Sequence, residues 1–118
     1  MNPKDILGMK KPSLSAIPFP AVYAVGRAMA DGERKYGRFN WRDNKVNSDV
    51  YVDAAMRHLL AWNDGEEVAE DSGAHHLAHA AACLMILLDA QYTDSMNDQR
   101  PTTNTGNVAK YIKENTDA

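Results

Sequence analysis

The chain has almost no cysteine. Cys83 is the single thiol in 118 residues, so no intrachain disulfide can form, and its place in an apolar run marks it as a small buried hydrophobe. One thiol and no secretory leader point to a reducing, cytoplasmic setting. Long apolar runs are missing as well: the longest, Ala80 to Leu88, is too short to cross a bilayer, and no membrane partner is expected. An excess of positive charge is also lacking. The net charge of −3 argues against a protein that coats nucleic acid, because phosphate binding needs a basic face. A small phosphorylated substrate stays open, since a metal ion can supply positive charge locally. There is no C-x-x-C pair, no GxxxxGK[ST], no HExxH and no GxSxG, which sets aside the common thiol-metal, P-loop, zincin and serine-hydrolase patterns. Neither strand-like alternation nor an internal repeat is found.

What remains is helical. The length predicts one domain over 1–118, with a core small enough that burial against a second subunit matters. Residues 1–20 hold four of the five prolines, which predicts an extended arm. The helical core is expected over 21–92. Val22, Val25 and Met29 recur at helical spacing from Ala21 to Tyr36, and Gly37 stops that helix. Residues 38–47 read as a loop. Ser48 is a plausible N-cap for a helix from Asp49 to Asp64, closed by Gly65. After the acidic connection EEVAED, Asp71 or Ser72 caps a third helix that runs to about Tyr92 and has Leu84, Leu87 and Leu88 to bury. Residues 93–118 read as loop plus a short helix, Val108 to Asn115. The Ala-rich stretch Ala78, Ala80, Ala81, Ala82 permits close helix approach.

The third helix opens on three imidazoles, His75, His76 and His79. The second and third helices share a short connection and should lie antiparallel. Their joining corner then gathers His58, Glu66, Asp71 and the imidazoles, with His76 and His79 able to share a face. Carboxylates and imidazoles on one rim can hold a divalent ion, Mg²⁺ or Mn²⁺ where oxygen dominates, with Zn²⁺ or Co²⁺ favoured by more imidazole. The bland reading stands beside this one: acids before a helix are favoured by its dipole alone, His58 can be a satisfied core histidine, and Arg57 can simply pair with Asp53 one turn back. Asp89 can close the core with a charge.

A second odd segment is KYGRFNWR, Lys35 to Arg42, with three cations and three aromatics in eight residues. Cations bind phosphates, aromatic faces stack on bases, and Asn can read a purine edge. For the aromatics the favoured reading is that Tyr36, Phe39 and Trp41 anchor the loop to the core, while at least one of the cations Lys35, Arg38 and Arg42 is expected to be functional.

The run KKPSLSAIP, then KYGRFNWR, then YVDAAMRHLLAWNDGEEVAEDSGAHHLAHAAACLMILLDA, then DQRP, in this order over about residues 8–101, resembles the phage dATP/dGTP diphosphohydrolase family. That family is similar to the all-α, MazG-like nucleoside triphosphate pyrophosphatases. The resemblance implies an all-α fold, a small bundle of three to four main helices with an extended Pro-rich N-terminal arm. It implies metal-dependent hydrolysis of a (deoxy)purine nucleoside triphosphate, dGTP or dATP, to the monophosphate and pyrophosphate. It also implies a phage protein in the host cytoplasm, assembled as a homodimer or tetramer. The alternative is a non-catalytic nucleotide- or metal-binding accessory protein. Glu66, Asp71 and His79 are then the expected catalytic residues and metal ligands, with His76 and Asp53 as further ligands, Mg²⁺ or Mn²⁺ as the ion, and Glu66 orienting the attacking water. Lys35, Arg42, Arg57 and Arg100 are expected at the phosphates, Asn40 and Trp41 at the base or sugar. Where the superfamily carries ExxE and ExxD, this chain has Asp53 with Arg57 and His58, and His76-Leu77-Ala78-His79; its tail motif reads Asp98-Gln99-Arg100-Pro101.

Overall fold

In the computed structural model the described residues are 1–116; Asp117 and Ala118 lie outside them. The fold is all-α, with two very short strands. Helix α1 spans Pro3–Gly8, α2 Phe19–Tyr36 and the single turn α3 Asn40–Asp43; β1 is Val46–Asn47, α4 Ser48–Asn63, α5 His76–Tyr92, β2 Met96–Asn97 and α6 Val108–Glu114.

Several boundaries differ from those expected, each for a local reason. The arm is not wholly extended: Asn2 caps α1 by accepting from the Lys4 amide at 2.8 Å, and Leu14–Ala16 form a 3₁₀ turn. Helix α2 starts at Phe19 because Pro20 falls in its first turn, where a missing N–H breaks no helical bond. It ends as predicted at Gly37, whose φ of 93° suits glycine and whose N–H reaches the Glu33 carbonyl at 2.8 Å. Ser48 does not cap α4 but is its first residue. Its Oγ accepts from the Gln99 amide at 2.9 Å, while the Gln99 side chain accepts from the Asp49 amide at 3.1 Å. Helix α5 begins later than Asp71 or Ser72 would place it. His75 is its cap, accepting from the Leu77 amide at 3.0 Å, and residues 71–75 instead form a turn tied back by the Val68–His75 bridge.

Helices α4 and α5 lie antiparallel, as expected from their short connection. Their near ends are joined by the His76 amide on the Glu67 carbonyl at 3.0 Å. Their far ends are clasped by β1 and β2, which pair in parallel, Val46 with Met96 and Asn47 with Asn97. Two-residue strands carry no alternation, so sequence pattern cannot reveal them.

The packing seam is alanine. Ala28 of α2, with Ala74, forms one buried cluster with Ala78 and Ala82 of α5. Trp41, Val46 and Ala90 form a second, packed by Met29, Tyr51 and Leu87. Leu84 and Leu88, expected inside, are exposed, as are Val52, Met56 and Leu59 of α4. Small residues let the helices approach closely, and the large apolar side chains are left on the outer faces. The Cα radius of gyration is 17.9 Å, against about 13–14 Å for a compact domain of this length.

Asp89 fixes the loop to the hairpin. It accepts from Trp41 Nε1 at 2.7 Å and takes both prongs of Arg42 at 2.8 and 2.7 Å. The Arg42 hydrogen bonds first, then that from Trp41, hold its carboxyl down at about 2. A carboxyl depressed in the fold contributes stability that is complete above its ordinary value of 3.8 and lost as pH falls toward 2. Asp89→Asn is therefore expected to lower Tm at pH 7 and to flatten the loss of Tm between pH 4 and 2, followed by circular dichroism; an unchanged acid profile would refute this role.

Candidate functional site

Helices α2, α4 and α5 and the turn after Gly37 enclose an open groove of about 570 Å³. Its walls are largely apolar, with Ala28, Met29, Tyr51, Ala54 and Ile86 among them; a polar cluster of Asp31, Lys35, Asp71, His58 and His79 borders it, as do Glu33, Arg38 and Asn40. The helix spacing produces this division. Met29 and Lys35 both lie on the groove side of α2, and Asp31 sits four residues before Lys35 and binds its ammonium at 3.0 Å.

In the polar cluster Asp31, only 12% exposed, also takes Arg34 at 2.6 Å. The Arg34 and then the Lys35 hydrogen bond hold its carboxyl below the usual range. Lys35 Nζ lies 3.5 Å from Asp71 Oδ2 as well, so one ammonium sits between two carboxylates. The Asp31 hydrogen bond raises the Lys35 value, keeping it charged.

Beside them the imidazoles form a column. His58 stacks on His79 at 4.6 Å with planes 12° apart, and its Nδ1 meets His76 Nδ1 at 2.9 Å. That contact needs one ring to donate and the other to accept, so the two nitrogens share one proton. His79 Nε2 lies 2.6 Å from Ser72 Oγ, which also accepts from the Ala74 amide at 3.1 Å; with one proton and a second lone pair, the hydroxyl can serve either tautomer of the imidazole. Burial is the main cause lowering both His58 and His79; for His58 the charges of His79 and His76 add to it, and for His79 Asp31 and Asp71 work the other way. His76 has a side chain 8% exposed, and its Nε2 is buried without a hydrogen-bond partner among the described residues, 3.4 Å from Glu66 Oε1. His75 faces out, with its Nε2 3.1 Å from Glu67. Cys83 lies half-buried in the groove wall, where burial pushes its thiol up and keeps it protonated.

The structure distributes the sequence-predicted residues as follows. Lys35, Asn40, Trp41, Asp71 and His79 border the groove. Glu66 pairs with His76 on the far side of His58. Arg42 is held by Asp89, and Arg100 is folded onto Asp98 through two side-chain bonds of 2.9 and 2.6 Å. Asp53 is exposed on α4, and among the described residues it makes no ion pair with Arg57. Among the described residues no three His, Cys, Asp or Glu side chains gather as one metal-binding group. The five expected ligands thus do not fit a single resident ion: Glu66 and His76 form one donor pair, Asp71 and His79 lie beyond His58, and Asp53 stands apart.

Sequence reasoning missed Asp31 and Phe39 as groove residues, Ser72 as the partner of His79 and Asp89 as the loop's anchor. The Asp31–Lys35 spacing is a legible helical ion pair. Phe39 is less accessible to such reasoning: its φ is 54°, in the left-handed region. For a non-glycine residue this costs on the order of 1–3 kcal/mol.

Comparison with known proteins now bears on this geometry. The family model for "dATP/dGTP diphosphohydrolase, N-terminal" matches residues 1–100, and the chain belongs to that family. It is 39% identical over 77 residues to a protein of Salmonella phage PMBT28 named "dATP/dGTP diphosphohydrolase". The aligned part is 65% of this chain and 26% of the relative, so the match spans about a quarter of the relative's length. No solved structure matches the chain. No helix among the described residues is long and apolar enough to cross a membrane.

The burial of His58 and His79 predicts a pH-sensitive fold. His58 and His79 are depressed, so their stability contribution is complete above the ordinary value of 6.5 and falls as pH drops below it. Urea midpoints at pH 7.5 and 5.5 are expected to show a marked loss for the native chain and a smaller one for the His58→Gln/His79→Gln double variant; equal losses would show that the column does not titrate as argued.

Proposed function

We propose that the groove binds a purine deoxynucleoside triphosphate, dGTP or dATP, and that the chain hydrolyses it to the monophosphate and pyrophosphate. The carrying observation is the groove itself, largely apolar-walled and bordered by a charged Lys35 and by a His79 whose burial favours the neutral form. The relative's name supports the same reading. Lys35 turns from Asp31 and Asp71 to the phosphates. His79 Nε2, now held by the Ser72 hydroxyl, accepts the proton of the attacking water. The water oxygen bonds to the α-phosphorus, the bond from that phosphorus to the bridging oxygen breaks, and pyrophosphate leaves with that oxygen. Phosphoryl transfer of this kind asks mainly for positioning and charge neutralisation. Asn40 offers the base edge a donor and an acceptor.

Among the described residues no three His, Cys, Asp or Glu side chains gather as one group. Mg²⁺ or Mn²⁺ enters in this reading as the counter-ion that the triphosphate brings with it. The same scattering of expected ligands favours a second reading, a module that binds nucleotide without cleaving it. Chromatography of dGTP and dATP reactions separates the two. Hydrolysis is expected to yield dGMP or dAMP with pyrophosphate; His79→Ala should lower turnover by roughly 10²–10⁴-fold, and Lys35→Ala chiefly weaken binding. Nucleotide bound but never cleaved would leave the binding module.

The exposed stripes Val52, Met56, Leu59 on α4 and Leu84, Leu88 on α5 lie on helices whose inner seam is alanine. A second copy of the chain is the proposed cover, giving a dimer or tetramer. Light scattering is expected to show an oligomer that Leu84→Gln/Leu88→Gln converts to monomer; a native monomer at micromolar concentration would overturn it.

A further inference from the structure

We infer that Phe39 is the stacking platform for the purine ring, the residue of the groove that sets its preference for a nucleobase. This rests on the groove being a nucleotide site, as proposed above.

The aromatics of the Lys35–Arg42 segment divide their work. Trp41 is the anchor: it is 9% exposed, and its indole N–H is committed to Asp89. Phe39 is not an anchor. It borders the groove and remains 44% exposed. Its backbone adopts the left-handed conformation at φ 54°, which glycine would take without strain. A ring kept on a strained backbone and left open to the groove does little for the core.

The surroundings hold that ring in a fixed pose. The Arg42 guanidinium lies over the ring, 4.5 Å from its centroid, and is itself locked by both oxygens of Asp89, while the exposed Arg38 guanidinium lies over the ring more loosely at 5.6 Å. Trp41 meets it edge-on, with centroids 5.4 Å apart and planes at 66°. The platform is therefore built from a rigid cation, a buried indole and one strained residue. Met29, Tyr51 and Ile86 supply further apolar wall to the same groove, and Lys35 borders it. A flat heteroaromatic ring with an anionic tail matches those surfaces, and stacking on an aromatic side chain favours a purine for its larger π-face.

The test titrates α,β-methylene dGTP and, separately, inorganic tripolyphosphate into the native chain, Phe39→Ala, Phe39→Gly and Phe39→Trp by calorimetry, with Tm recorded for each. The native chain is expected to bind both ligands. Phe39→Ala and Phe39→Gly should weaken the nucleotide on the order of ten- to a hundred-fold, leave tripolyphosphate within two-fold, and Phe39→Trp should keep nucleotide affinity. Phe39→Gly is expected to match or exceed the native Tm, because it releases the backbone strain, so its loss of affinity cannot be a loss of fold. Nucleotide affinity within two-fold of native in Phe39→Gly overturns the platform alone. Equal weakening of both ligands also overturns it, assigning the residue to groove shape. A native chain that binds neither ligand overturns the nucleotide site and the platform together.

Discussion

A single carboxylate governs how this fold presents its groove. Asp89 lies in the last turn of α5, where the helix dipole is unfavourable to negative charge, and it is held there by Arg42 and the Trp41 indole from 47 and 48 residues earlier. The pairing compensates the charge at that helix end and pins the turn after α2 against the hairpin. Phe39, Asn40 and the groove wall beside them take their positions from it. The charge that closes the core and the cation that looked free for phosphate are thus partners of each other.

The alanine seam has the opposite character. It is undirected and weak per residue, because an alanine removes little apolar area from water. Among the described residues no large side chain is fully buried, and leucines and methionines lie outside on the same helices. Close approach of α2 to α5 leaves the two helices with room for a groove beside α4. The same economy of side chain that opens the site leaves apolar outer faces for a further surface to cover.

Much of this was legible in sequence, for identifiable reasons. The three main helices announce themselves through apolar spacing and through Gly37 and Gly65, both at positive φ. The corner between α4 and α5 does bring imidazoles together, as their spacing suggests. Leu84 and Leu88 depart from expectation because hydrophobicity alone does not decide burial: close packing selects the alanines for the seam. The joint placement of Glu66 and Asp71 was not legible either: the Val68–His75 bridge shapes the connection, and the two acids meet different flanks of the imidazole column. The clasp of β1 on β2 and the Gln99 contact with Asp49 join residues about fifty positions apart, which no local pattern encodes.

That clasp has a mechanical meaning. With both ends of the α4–α5 pair fastened, the hairpin behaves as a closed ring and cannot splay. Helix α2 is fastened to the ring past its C-terminal end, where Asp89 holds Trp41 and Arg42; along the helix itself, among the described residues, the polar link is Lys35 to Asp71 and the rest is apolar contact through Ala24, Val25, Ala28 and Met29. The polar latch between α2 and the ring is thus the same ammonium that an incoming anion would claim.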